Sequence, residues 1–141
     1  MFRTSVLAAI CAVGFVSAAS AAMMDFKATM SGKSEVPANA STGSGDVLAT
    51  LDTTSKKLTY TMTFIGLSGP ATAAHFHGPA AAGANAGVAV PIGSNPASPV
   101  TSTVTLTDAQ MKDLEAGKWY ANVHTAANPG GEIRGQLMPS K

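Results

Sequence analysis

Hydrophobic and polar residues alternate with a period of two along much of this 141-residue chain. Between residues 57 and 65, large apolar residues alternate with threonines, and residues 100–106 follow a similar pattern. Successive side chains of a strand point to opposite faces of its sheet, so each segment predicts a strand with one buried face. Shorter segments predict further strands around 26–30, 47–51, 73–77 and 87–92.

One short helix is predicted over about 107–117. Thr107 and Gln110 have the spacing of a capping box, in which each side chain hydrogen-bonds the backbone of the other residue. Met111 and Leu114 form a short apolar face, and Gly117 is suited to ending a helix in a left-handed conformation.

The last two strands are predicted to form a hairpin. Residues 118–124 and 132–137 flank a loop rich in turn-forming residues, from 125 to 131. Pairing His124 with Glu132 also pairs Asn122 with Arg134 and Tyr120 with Gln136, and these six residues then share one face. The opposite face is apolar, with Trp119, Ala121, Val123, Ile133 and Leu137. A slip of one residue would bury the charges, so this register is favoured.

The first 21 residues are interpreted as a cleavable signal peptide. Arg3 supplies a positive charge, residues 6–16 are largely apolar, and residues 17–22 are small and contain Ala19-Ser20-Ala21. The apolar segment is shorter than the roughly 20 residues of a membrane span. We therefore expect export, to the periplasm or the outside of the cell, of a domain of residues 22–141 without a transmembrane segment.

Removal of the signal peptide changes the charge and the cysteine content. It takes away Arg3 and Cys11 and leaves eight Lys and Arg against eight Asp and Glu. A neutral chain offers no positive field to nucleic acid, so we expect no nucleic-acid partner. Without a thiol, the remaining domain can form neither a disulfide nor a cysteine-based metal site.

Several motifs are similar to those of a known family. They are Ser31-Gly32, Glu35-Val36-Pro37, Ala74-His75-Phe76-His77-Gly78-Pro79, Trp119-Tyr120, Asn122-Val123-His124 and Asn128-Pro129-Gly130-Gly131-Glu132-Ile133-Arg134-Gly135-Gln136-Leu137. In this order they resemble the CHRD domain, named for the developmental protein chordin, over about residues 25–138. The resemblance implies an all-β fold, an immunoglobulin-like Greek-key antiparallel β-sandwich. Chordin is an extracellular antagonist of bone morphogenetic proteins, but a shared fold does not carry that role to this chain.

The three histidines of the chain all lie within these motifs. His75 and His77 are two apart, so they share one face of a strand, and His124 lies on the polar face of the last hairpin. If these strands are neighbours, three imidazoles converge, with Glu132 as an additional ligand or as the group that orients His124. Imidazole nitrogen suits copper or zinc. Alternatively, the histidines brace loops, and Glu132 with Arg134 forms an exposed ion pair.

Three functions follow from these interpretations. The first is a non-enzymatic, exported binding domain that holds a transition metal, preferably copper, through His75, His77 and His124. The second is a structural or protein-interaction module whose partner is an unknown extracytoplasmic protein. The third is copper-dependent redox chemistry, because a His-x-His pair on a Greek-key sandwich is similar to copper–zinc superoxide dismutase.

Overall fold

The computed structural model describes residues 22–140, which form eight strands and one helix. The strands are β1 (Met23–Ser31), β2 (Ser44–Asp52), β3 (Lys57–Ile65), β4 (Ala71–His77), β5 (Val88–Ser94), β6 (Val100–Thr105), β7 (Trp119–Thr125) and β8 (Ile133–Ser140), and the helix is α1 (Asp108–Glu115). All strand pairs are antiparallel, in the order β5-β4-β7-β8-β1-β2-β3-β6. The predicted all-β antiparallel fold with one short helix is confirmed.

The sheet folds back over its apolar face. Tyr60 of β3 and Phe76 of β4 pack edge to face with ring centroids 4.9 Å apart, although four strands separate β3 from β4 in the sheet. Strands this far apart in one sheet meet only if the sheet curves strongly, as the right-handed twist of strands allows. The alternation predicted from the sequence therefore buries one side of every central strand in a single core.

The core consists of the alternating residues that the sequence pattern identified. Those with no exposed surface include Met30, Val47, Leu51, Leu58, Met62, Phe76, Trp119, Val123, Ile133 and Leu137. Burial of a large apolar side chain stabilises the fold by about 1.5–3 kcal/mol, so this cluster supplies the main driving force for closure of the sheet. It also holds β4, β7 and β8 rigidly side by side, which positions the polar residues on their opposite face.

That opposite face is buried as well, although it is polar. The segment 78–87 covers it, and within this segment Ala84 and Asn85 accept hydrogen bonds from the Arg134 guanidinium, the latter at 2.8 Å. Asn85 also donates to the carbonyl of Val36 at 3.1 Å, which ties this loop to the segment that follows β1. As a result Arg134 is only 2% exposed. The exposed Glu132–Arg134 ion pair considered from the sequence is therefore wrong.

The predicted helix caps are present at both ends of α1. The Thr107 side chain accepts from the Gln110 N–H at 3.2 Å, and the Gln110 side chain accepts from the Thr107 N–H at 2.9 Å, which completes the capping box. Gly117 follows the helix with φ of +67°, the left-handed conformation expected of a glycine that ends a helix. Both boundaries therefore follow from local sequence.

The predicted signal peptide, residues 1–21, lies outside the described residues. Across residues 22–140, no helix combines the length and the apolar character that a membrane crossing requires.

Candidate metal centre

Neighbouring strands β4 and β7 bring the three histidines together. His75 lies opposite Asn122 and His77 opposite Tyr120, and His124 lies two residues beyond Asn122 along β7, opposite Ala73. The pairing of β4 with β5 shifts register on both sides of His75 and Phe76, and such bulges change the direction of side chains. One ring nitrogen from each histidine lies within 4.8 Å of the others. The three histidines therefore converge, as predicted for the case in which these two strands are neighbours.

His75 and His124 contact each other directly. His75 Nδ1 lies 3.0 Å from His124 Nε2, and the ring centroids are 4.9 Å apart. His124 Nδ1 lies 2.9 Å from the carbonyl oxygen of Pro129, which only accepts, so this nitrogen donates. In the neutral ring the Nε2 lone pair of His124 is then directed at His75. The backbone of the loop before β8 therefore determines which nitrogen of His124 is free to bind an ion.

His77 is held more tightly than the other two histidines. Its Nδ1 lies 3.0 Å from the carbonyl oxygen of Ala86, and its Nε2 lies 3.0 Å from the side-chain oxygen of Asn122. Its ring stacks on Tyr120 with centroids 4.8 Å apart and planes 4° from parallel, and the Arg134 guanidinium lies 3.4 Å from the Tyr120 centroid. The oxygens of Ala86 and Asn122 both accept, so the neutral His77 ring donates to one of them, and a metal ion bound through the other ring nitrogen displaces the remaining contact.

Burial keeps the imidazoles of His75 and His77 in their neutral, metal-binding form. It lowers the pKa of His75, and the nearby rings of His124 and His77 lower it further. Burial also lowers the pKa of His77. The contacts with Ala86 and Asn122 act to raise this pKa, and the charges of His124 and Arg134 act to lower it. Because metals bind unprotonated imidazole, these two rings are prepared for coordination at neutral pH.

Glu132 is separate from the histidine group. Its carboxylate accepts four hydrogen bonds: from the Ser68 N–H at 2.7 Å, from the Ser68 hydroxyl at 2.6 Å, from the Ser41 hydroxyl at 2.7 Å and from the Thr125 hydroxyl at 2.5 Å. Burial acts to raise the pKa of Glu132, but these hydrogen bonds outweigh it and hold the pKa at about 2. The carbonyl of Pro129, not Glu132, orients His124, so the role considered for Glu132 is corrected.

The physical reason lies in the backbone just before β8. The Glu132 N–H donates to the Val123 carbonyl at 2.7 Å, so the strands pair as predicted, but Glu132 precedes the first residue of β8. Its side chain joins Thr125 and two loop serines instead of continuing the polar face. Alternation along a strand does not extend reliably beyond the end of that strand.

Glu35 is the buried polar residue that the sequence analysis did not single out. It is 7% exposed, and burial raises its pKa to about 7 even though Arg134, the Val36 N–H and Asn122 each lower it. Gly131 is needed beside it, because a Cβ there would lie 2.4 Å from Glu35 Oε1. The signal was present in the Ser31-Gly32-x-x-Glu35-Val36-Pro37 motif, which was used only as evidence of family likeness.

These features define a class of protein: an antiparallel all-β domain with three histidines clustered on the outer face of its sheet. The model of the CHRD domain family matches residues 26–137, which is nearly the whole described part of the chain. The chain therefore belongs to the CHRD domain family, as the motifs indicated. No curated protein and no solved structure gives a match to it.

Proposed function

We propose that this CHRD-domain protein binds one transition-metal ion, copper in preference to zinc, through His75, His77 and His124. The observation that carries the proposal is the approach of three ring nitrogens to within 4.8 Å of one another. Nitrogen ligands of this kind suit both ions, and divalent copper forms the stronger complexes of the two. Supporting this, burial lowers the pKa of His75 and of His77, so both rings are uncharged near pH 7.

The spacing of His75 and His124 supports a shared ion. Two nitrogens that each lie about 2.0–2.1 Å from one metal are about 3 Å apart. The distance from His75 Nδ1 to His124 Nε2 is 3.0 Å, so both nitrogens come within bonding distance of one ion once the hydrogen bond between them is released and the rings turn toward that ion. His77 would join them after releasing Asn122 or Ala86. This geometry makes His75 and His124 the primary pair and His77 the third ligand.

Calorimetric titration of the chelator-treated protein with Cu(II) and Zn(II) tests the proposal. We expect one ion per chain, with affinity lowered about 100-fold or more in His75→Ala and in His124→Ala, and about tenfold in His77→Ala. Thr61→Ala, on the outer face of β3, is the control and should bind as the wild type does. Equal affinity in wild type and in the His75→Ala, His124→Ala double variant would reject the metal site.

The alternative function is a structural or protein-interaction module with an extracytoplasmic protein partner. It is favoured by the contacts of the His77 ring with the Ala86 and Asn122 oxygens and by the hydrogen bond from His124 to the Pro129 carbonyl, because these brace loops without a metal. Thermal unfolding separates the two functions. Bracing predicts that each histidine variant lowers the melting temperature equally with and without metal, whereas metal binding predicts an added stabilisation that only the wild type shows.

Two further features are part of the proposal. Export follows from the signal-like residues 1–21, and sequencing the amino terminus of the mature protein tests it, with a start near Ala22 expected. In the chain β5 and β6 come between β4 and β7, yet β7 pairs with β4, and a connection of this kind supports a Greek-key sandwich.

Copper-loaded protein assayed for superoxide turnover tests the redox hypothesis separately from metal binding.

A further inference from the structure

The sheet of residues 22–140 has two end strands, β5 and β6, and they differ in how their outer edges are protected. Pro91 in β5 has no N–H to offer a new strand, and the ladder of β5 with β4 is interrupted by two register shifts. The Gln110 side chain of α1 also donates to the Ala89 carbonyl at 3.0 Å. Proline, bulges and covering side chains all prevent an edge strand from pairing with another chain.

Strand β6 has none of these protections. Its six residues, Val100–Thr105, include no proline and no charged residue, and they pair with β3 without a register shift. In an antiparallel ladder, alternate residues turn their N–H and C=O groups away from the existing partner. Within the described residues β6 pairs with β3 alone, so these groups face outward along a regular edge. Such an edge is a template for strand addition.

The sequence of β6 indicates which strand fits this edge. Val100-Thr101-Ser102-Thr103-Val104 reads the same in both directions. If a second copy pairs antiparallel with its centre at Ser102, Thr101 faces Thr103 of that copy and Val100 faces Val104. A twofold interface requires a surface that is complementary to itself, and this strand meets the requirement residue by residue.

The existing sheet already contains the pairs that such an interface would form. Across β3 and β6, the hydroxyls of Thr61 and Thr101 lie 3.0 Å apart, and those of Thr59 and Thr103 lie 2.9 Å apart. Cross-strand threonine pairs stabilise a sheet, and an uncharged strand places no like charges opposite each other. A second β6 would continue the same rows of threonines across the axis.

We propose that two copies of this chain pair through β6, antiparallel and about a twofold axis at Ser102, so that their sheets become continuous. The interface lies on the end strand next to β3, whereas the histidines lie on β4 and β7. Dimer formation is therefore independent of metal binding, and each proposal can fail without the other.

Sedimentation velocity of the metal-free protein tests the pairing, with a dimer expected for the wild type. One double variant carries Thr101→Lys with Thr103→Lys, and the other carries Thr101→Glu with Thr103→Glu. Each double variant places like charges opposite one another and should raise the dimer dissociation constant at least tenfold. Mixing the two variants places Lys opposite Glu and should restore dimers that contain one chain of each. Leu48→Lys, Thr50→Lys on β2 adds the same charge away from the edge and should remain dimeric.

The outcomes separate cleanly, because circular dichroism shows whether each variant is folded and the mixture requires both to be folded. A monomeric wild type at about 100 μM would overturn the proposal. A dimer that persists in both charged variants would also overturn it, since pairing would then use another surface. Folded variants that fail to associate when mixed would have the same effect. Restoration in the mixture alone, with the control unchanged, supports pairing through β6.

Discussion

Glu35 and Glu132 are both buried carboxyl groups, yet their surroundings move their pKa values in opposite directions. Burial acts to raise both, and at Glu132 four neutral donors outweigh it and hold the pKa at about 2. At Glu35 burial prevails and the pKa is about 7, because one carboxyl oxygen has no hydrogen-bond donor within the described residues. The number of donors, more than depth, decides the charge of a buried acid here.

Replacing Glu132 by glutamine should destabilise the fold by about 2–3 kcal/mol. The substitution exchanges one carboxylate oxygen, which accepts two hydrogen bonds, for an NH2 group that would face the same donors. The contribution of Glu132 is present above its unfolded pKa of about 4.5 and is lost as the pH falls toward 2. Urea denaturation at pH 7 measures the change, and Glu115→Gln at the end of α1 is the control. Metal affinity that falls with stability in Glu132→Gln would restore a role for this residue at His124.

The variant Glu35→Gln should change the pH dependence of stability in the opposite sense. The raised pKa means that the folded state holds a proton which the unfolded state has released, so this contribution is complete below pH 4.5 and is lost as the pH rises through about 7. Glutamine mimics the protonated acid, so the variant should be more stable than wild type at pH 8, by about 1–3 kcal/mol, and equal to it at pH 4. Melting temperatures over this range decide; parallel curves for the two proteins would contradict the expectation.

At the scale of elements, β8 depends on a close approach to β1. A Cβ on Gly135 would lie 2.4 Å from the Thr29 carbonyl oxygen, which belongs to the backbone of β1 and cannot move aside without breaking the pairing. Gly135→Ala should therefore destabilise the protein by more than about 2 kcal/mol. Gly93→Ala in β5, where the added atom meets nothing within 4 Å, is the matched control. Similar unfolding midpoints for the two variants in urea would show that β1 and β8 can separate without cost.

Elements were predictable where the information was local. Strand β3 is found at Lys57–Ile65 as the alternation indicated, and the capping box at Thr107 marks the start of α1. The meeting of His75 with His124 was not local, because it required β4 to pair with β7 across more than forty intervening residues. Periodicity placed each histidine on a strand face, but whether the two strands were neighbours remained a condition that local pattern did not decide.

The position of Glu35 shows where sequence reasoning stopped. Glu35 lies just after a 3-10 turn, in a segment that has no periodic pattern, and it becomes buried only because the chain crosses the outer face of the sheet near Asn122 and Arg134. Likewise, the Pro129 carbonyl that orients His124 carries no side-chain signal. Contacts made by loops and by backbone atoms depend on the finished tertiary structure, and patterns of side-chain type do not record them.

At the scale of the whole molecule, β8 joins the two parts of the sheet. It lies between β7 and β1, so β5-β4-β7 and β1-β2-β3-β6 are linked through it alone by strand pairing. A chain truncated after Glu132 should consequently lack a cooperative unfolding transition, since neither part can cover its apolar face. Circular dichroism during heating tests this, and a truncation that removes only Lys141 is the control. A cooperative transition in the truncated chain would show that one part folds alone.

The central place of β8 has a consequence for the order of events during synthesis. The ribosome produces the chain from its amino terminus, so the strand that completes the sheet is the last to appear. Until β8 has been made, no strand of one part can be linked to a strand of the other part by strand pairing. The complete sheet can therefore form only after the last strand has been synthesised.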